Sequence, residues 1–278
     1  MGQLYQREGP MCEIIQRQPY SSDLGTKEWG YLKPLVPMPK PGGRPPKYAR
    51  LEIVNAILYL VRTGCAWRLL PHDFPPWRIV YHYFSTWRRD GTWTRIHDVL
   101  RSQVRIAEGH EPEPSAVIMD SQSVKTTEKG GIHGYDAGKK VNGRKRHLLV
   151  DTLGLVIAVV VHAANIQDRD GAKFLLNLIR DRFMRIQLIW ADGGYAGKLI
   201  QWVSAMRPSS HLKLEIVKRS DQMKGFHVLP RRWVVERTFG WLGRHRRLSK
   251  DYEYLTETSE SMIRLAMIKL MAGRLAAK

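Results

Sequence analysis

The stretch RHLLVDTLGLVIAVVV, residues 146–161, holds two apolar runs, 146–150 and 155–161, on either side of Asp151-Thr152-Leu153-Gly154. Two short runs rich in β-branched residues, joined by a segment that ends in glycine, predict a β-hairpin. Upstream, the apolar run at 116–119 predicts a first buried strand. Downstream, 174–183 reads as an amphipathic helix, 186–190 as a strand, 197–206 as a helix, 212–217 as a strand, 232–247 as a long helix and 262–275 as a final helix. The order β-β-β-α-β-α-β-α predicts a mixed α/β sheet flanked by helices, with three strands in meander before the first crossover helix.

Before residue 110 the period is helical. Thr26 is positioned to cap a short helix carrying Trp29 and Leu32, which Pro34 stops. Pro37, Pro39, Pro41, Gly42, Gly43, Pro45 and Pro46 then form an extended connector that cannot be helix. Its Lys40, Arg44 and Lys47 have water on both sides and can lie along a phosphate backbone. Three helices follow, at 51–61 up to Gly64, from Pro76 up to Gly91, and through 93–104. Arg78, His82, Ser85 and Arg89 share a polar face of the second, which suits a helix-turn-helix reader entering a major groove. A small bundle with a solvated basic face fits the same pattern equally well. Residues 1–19 lack periodicity and read as a flexible leader. The expected division is therefore leader 1–19, helical DNA-binding domain 20–110 and α/β domain 111–278.

Charge points to the partner. With 45 Lys+Arg against 26 Asp+Glu the net charge is 45 − 26 = +19, and only a polyanion makes so much like charge useful. Hydrophobic residues at 43% argue against a disordered basic tail. The longest apolar run, 153–161, is far short of the ~20 residues that span a bilayer, so no membrane is expected. No signal-peptide pattern opens the chain, and the expected address is the cytosol. Cys12 and Cys65 have neither zinc-ligand spacing nor a disulfide framework.

Three carboxylates stand where chemistry is expected. Asp120 follows the run at 116–119, and Asp192 follows Trp190-Ala191 and precedes Gly193-Gly194. Polar groups at the carboxyl ends of buried strands face the crevice where ligands bind. On a helix at about 100° per residue, Arg232, Gly240, Gly243 and Arg247 all fall within about 40° of Glu236, between two apolar flanks. This is a narrow wedge holding one carboxylate among arginines and glycines. Hard oxygen donors hold Mg2+, and two such ions clamp the attacking and leaving oxygens of a phosphodiester displacement. Asp120, Asp192 and Glu236 are the expected catalytic and metal-binding residues. The basic stretch with Lys139, Lys140, Arg144, Lys145 and Arg146 is expected to hold DNA over them by phosphate contacts. Asp151 reads as a structural turn residue. Asp168 and Asp170 read as caps of a helix beginning near Gly171.

Several longer motifs carry a resemblance. They are Met119-Asp120-Ser121-Gln122-Ser123-Val124-Lys125-Thr126, Gly134-Tyr135-Asp136-Ala137-Gly138-Lys139-Lys140, Gly143-Arg144-Lys145-Arg146-His147 and Ala191-Asp192-Gly193-Gly194-Tyr195, followed by Arg232-Trp233-Val234-Val235-Glu236-Arg237-Thr238-Phe239 with Arg246-Arg247-Leu248 and Asp251-Tyr252. Over about residues 20–272 the chain resembles the DDE-type transposases of bacterial insertion sequences. The resemblance implies an RNase H-like mixed sheet flanked by helices, preceded by a small all-α helix-turn-helix-like domain. It maps the two Asp and the Glu onto Asp120, Asp192 and Glu236. It also implies two Mg2+ ions with Mn2+ able to substitute, double-stranded DNA as both transposon end and target, a homodimer or higher assembly on DNA, and a nucleoid-associated cytoplasmic location. The chain departs from the family pattern where Leu229 stands for a Tyr and Gly243 for a Lys, with Arg244 one residue beyond as the stand-in. An endonuclease of the same fold, and an inactive transposase-derived DNA-binding protein, are the alternative readings.

Overall fold

The structure, a computed structural model, describes residues 17–39, 46–128, 130–207, 211–217 and 233–278. Lys40, Arg44, Leu229, Arg232 and residues 1–16 of the expected leader lie outside the described residues.

Strand geometry extends well past the apolar runs that announce it. β1 (Ala116–Lys125) continues through Asp120, and β2 (Gly134–Asp136) is a short strand with no apolar signature. β3 (Val141–Asp151) includes the whole basic stretch 144–146, and β4 (Val156–Ala163) completes the hairpin. β5 (Leu188–Ala191) and β6 (Lys213–Ile216) follow. β1 pairs β3 antiparallel and β5 parallel, while β2 and β4 both pair β3 antiparallel and β6 pairs β5 parallel. The meander is therefore β1-β3-β4, with β2 inserted in sequence between β1 and β3 and paired to β3 on the side away from β1.

The helices are α1 (Thr26–Leu32), α2 (Arg50–Thr63), α3 (Trp77–Arg89), α4 (Thr92–Ala107), α5 (Asp168–Ile179), α6 (Lys198–Met206), α7 (Trp233–Gly243) and α8 (Thr256–Ala276). At the start of α1 the cap is Gly25, whose amide donates to the Glu28 carboxylate at 2.8 Å; Thr26 is already helical. Gly64 ends α2 at φ 75°, and a Cβ there would come within 3.1 Å of the Arg246 backbone. Only glycine permits both the left-handed turn and that approach.

Alternation along β1 divides the core. Ile118, Leu148, Val150 and Trp190 join one apolar cluster with α7, α8 and α1–α4. Val117, Met119, Leu149 and Ile189 join a second with α5 and α6. The N-terminal helices thus share a continuous core with α8 and one face of the sheet. Along the edge strand β4, Glu260 Oε1 accepts the Val161 amide at 3.1 Å, occupying a donor that an edge leaves open.

Three local expectations need correction. The helix expected over 232–247 stops at Gly243, and a separate 3-10 turn holds Arg246–Leu248, so Arg247 does not share a helix face with Glu236. Secondly, α5 begins at Asp168 rather than near Gly171.

The third correction concerns the basic stretch, since Arg144, Lys145 and Arg146 are buried. Arg144 donates to the Ile132, Glu253 and Tyr254 carbonyls at 2.7 Å each and to Asp251 Oδ1 at 3.1 Å. Arg146 donates to the Leu248 and Lys250 carbonyls at 2.7 and 3.1 Å. Alternation turns both toward the α8 side, where the chain returning from α7 supplies acceptors, so their donors are not offered to phosphates. Arg247 is buried too, bonded to Glu253 Oε1 at 2.7 Å and to the Cys65 carbonyl at 3.0 Å.

Buried histidines set an acid limit. Burial pushes His97 down to about 4, with Asp98 pulling upward and Arg101 downward. Burial and Arg62 bring His245 to about 4 as well. Because the folded value lies below the ordinary 6.5, stability is complete above about pH 6.5 and falls as pH drops toward 4. For His97 the expected loss is about 3 kcal/mol over that range. His97→Gln should flatten the melting-temperature profile between pH 6.5 and 4 by about one proton; superimposable slopes would refute this origin of acid sensitivity.

Candidate active site

Register does what apolar runs alone do not. Ile118 pairs with Trp190 across the parallel strands β1 and β5, and Asp120 and Asp192 each stand two residues beyond that pair. Ile118 and Trp190 face the α7–α8 side, and period-two alternation turns Asp120 to the same side, while Asp192 directly follows the end of β5. Asp120 lies within β1, not after it. Its Oδ1 accepts the Ser121 amide at 2.7 Å. Asp192 caps the 3-10 turn Gly193–Tyr195 by accepting the Gly194 amide at 2.9 Å. Both side chains are half-buried.

A third aspartate borders the same turn as Asp192. Asp168, the first residue of α5, accepts Ser121 Oγ at 2.9 Å and forms an ion pair with Lys145 Nζ at 2.9 Å. A Cβ added to Gly194 would lie 3.1 Å from Asp192 Oδ1 and 3.7 Å from Asp168 Oδ2, so both carboxylates border one turn. Burial alone would raise the Asp168 carboxyl, but Lys145 and Ser121 hold it below the usual range. The buried Tyr195 hydroxyl is pushed well above its ordinary value by burial, then by Asp120 and Asp168, with Asp192 adding to it. Behind it, His147 and His162 lie with ring centroids 4.9 Å apart, both kept neutral chiefly by burial. Gly171 packs against both imidazoles, where any Cβ would collide with their Nε2 atoms.

Sequence reasoning passed over Asp168 because a carboxylate ahead of a helix is ordinarily a cap. Yet the rule that selected Asp120 and Asp192, an acid beside the end of a buried strand, also reaches Asp168, a few residues after β4.

Glu236 sits on the exposed side of α7, which is anchored by buried Val234 and Val235 and packs across β1 and β3. Nothing among the described residues lies within 4 Å of a Cβ added at Gly240 or Gly243, and Arg247 is not beside them on this helix. Among the described residues, no three His, Cys, Asp or Glu are close enough to share a metal ion. The aspartate pair has the hard oxygen donors that suit Mg2+, but Glu236 is not gathered onto it.

The expected DNA contacts divide. Lys139 and Lys140 are exposed where the chain enters β3, and Lys139 Nζ reaches the Ser121 carbonyl at 3.2 Å. Lys47, Arg78, His82, Arg89 and Arg244 are exposed. Lys145 is turned inward to Asp168. No helix among the described residues is long and apolar enough to cross a membrane.

The family described as "Transposase DDE domain" matches residues 111–271, and "Putative transposase of IS4/5 family" matches residues 24–97. Two similar proteins come from Burkholderia cepacia. "Insertion element IS402 uncharacterized 16.2 kDa protein" is 31% identical over 109 residues, covering 37% of this chain and 72% of its own length. "Putative transposase for insertion sequence element IS402" is 26% identical over 130 residues, covering 44% of this chain and 60% of its own. The chain thus spans about three fifths of that second relative. No solved structure matches. The mixed sheet with helices on both faces agrees with an RNase H-like core, and the first match runs over that sheet, Asp120, Asp192 and Glu236 together: the chain belongs to the DDE-domain transposases.

Proposed function

We propose that the protein binds the terminal inverted repeats of an insertion sequence, cuts a phosphodiester at each end and joins the freed 3′-hydroxyl to target DNA. The observation that supports this reading is the parallel register of β1 and β5, in which Asp120 and Asp192 each follow the paired Ile118 and Trp190 by two residues. Asp120, Asp192 and Glu236 would hold two Mg2+ ions, or Mn2+ in their place, which supply charge stabilisation to an in-line displacement. Glu236 completes the set when DNA seats against the open wedge of Gly240 and Gly243. Residues 111–278 form the catalytic part and residues 20–110 the end-binding part. The α3 face with Arg78, His82 and Arg89, together with Lys47, Lys139, Lys140 and Arg244, attracts the duplex; Arg44 and Arg232 belong to the same set. Two ends must be cut and joined together, so the working form on DNA is a homodimer or higher, in the cytoplasm at the nucleoid.

The test supplies pre-cut repeat ends and a supercoiled target with Mg2+. Joined products are expected, and cleavage without joining would reassign the protein as an endonuclease of the same fold. Glu236→Gln should lose cleavage by about a thousandfold, the effect of removing several kcal/mol of charge stabilisation, while keeping its melting temperature, because the side chain is exposed. Normal cleavage by that variant would make α7 a wall rather than a ligand carrier.

A further inference from the structure

Capping does not account for Asp168. Gln167 is the N-cap of α5 and makes no side-chain cap bond, and the nearby Asp170 is exposed and pairs with Lys173 at 3.0 Å. Asp168 instead turns inward, to one point where four pieces of the chain meet. Its Oδ1 takes the Ser121 hydroxyl from β1 and the Lys145 ammonium from β3, while Oδ2 faces the Gly194 turn that leaves β5. Ser121 is the residue whose amide holds Asp120, and Gly194 the one whose amide holds Asp192. Each supposed ligand is therefore one backbone amide away from a residue that Asp168 touches or borders.

We propose that Asp168 is a positioning residue of this site, bracing Ser121 and the Gly193-Gly194 turn so that Asp120 and Asp192 stay matched for a common divalent cation. The proposal rests on the reading of Asp120 and Asp192 as metal ligands. Partners that orient ligating carboxylates ordinarily change metal affinity by 10- to 100-fold when removed. Lys145 has the opposite sense: it offsets the Asp168 charge and also donates to the Ile166 carbonyl at 2.9 Å, so its removal leaves the Ser121 bond and adds net negative charge beside the cation.

Mn2+ binding to the full chain, alone and on a repeat-end duplex, measures this directly by electron paramagnetic resonance, without turnover. Asp168→Ala should weaken Mn2+ binding by about tenfold and Ser121→Ala by about threefold, each with a matching rise in the Mg2+ concentration needed for half-maximal cleavage. Lys145→Met should bind Mn2+ no more weakly than the parent. A merely structural ion pair predicts instead that Asp168→Ala and Lys145→Met behave alike, losing stability and leaving Mn2+ affinity unchanged, and that result overturns the proposal. If Asp168→Ala does not fold, Ser121→Ala decides by itself, since it retains the ion pair; parent-like affinity there also overturns the proposal. Asp120→Asn run in parallel separates the two levels. If it too binds Mn2+ like the parent, or if the parent binds none in either state, the metal reading itself fails.

Discussion

Asp120→Asn and Asp192→Asn are each expected to abolish Mg2+-dependent strand cleavage, by at least about a thousandfold, while duplex affinity measured without divalent metal stays within about twofold. Asparagine is isosteric, and its side-chain oxygen can still accept the Ser121 or Gly194 amide, so the local turn is retained. What it loses is the charge a hard cation requires. Asp120, Asp168 and Asp192 all act on the Tyr195 hydroxyl, so negative charge is concentrated at this spot. Neutralising Asp120 or Asp192 without metal present should leave the melting temperature unchanged or raise it, by relief of like-charge repulsion. Nicking of a repeat-end duplex, fluorescence anisotropy in chelator and a thermal melt separate the three effects. Retained cleavage in either variant would remove that aspartate from the catalytic set and turn attention to Asp168.

The second large effect is on stability. Arg144 and Asp251 are both 0% exposed and 3.1 Å apart. Asp251 also takes the Ser259 hydroxyl at 2.7 Å and the Glu253 amide at 3.0 Å, which ties the chain returning from α7 to the start of α8. Asp251→Ala leaves a buried guanidinium without its counter-charge, a change that ordinarily costs about 3–5 kcal/mol. For a chain of this size that corresponds to a fall of about 10 °C in melting temperature. Arg144→Met, which removes the charge along with its partner bonds, should lower the melting temperature as well and leave the salt dependence of duplex binding unchanged. If Arg144→Met instead keeps its stability and reduces the salt slope by about one contact's worth, Arg144 binds phosphate and its buried setting is not the one that operates on DNA.

The N-terminal helices, the hairpin at 146–161 and the strands near 116–119 and 186–190 were all legible locally, because apolar spacing reports which side of an element must leave water. Asp120, Asp192 and Glu236 could be selected for the same reason: polar groups at the ends or open faces of buried elements stand out against an apolar run. The resemblance of the surrounding motifs then covered almost the whole chain. By contrast, the strand character of 141–145 was not legible, since charged residues read as loop until partners for them are known.

What the amino-acid order determined by itself, then, was the kind and order of the elements with an apolar signature, the strongly basic charge and the identity of the candidate acids. The tertiary structure alone decided which cations face inward, that Arg247 leaves the helix of Glu236 at Gly243, that β1 pairs β5 with Asp120 and Asp192 each two residues past Ile118 and Trp190, and that Asp168 meets Ser121 and Lys145. The physical reason is one of range. Hydrophobic periodicity is set by neighbours within a few residues, whereas the partner of a buried charge comes from far along the chain, as Arg144 meets Asp251 and Lys145 meets Asp168. A lysine or arginine looks the same in sequence whether it will face a phosphate or a carboxylate, and only the folded chain brings the carboxylate to it.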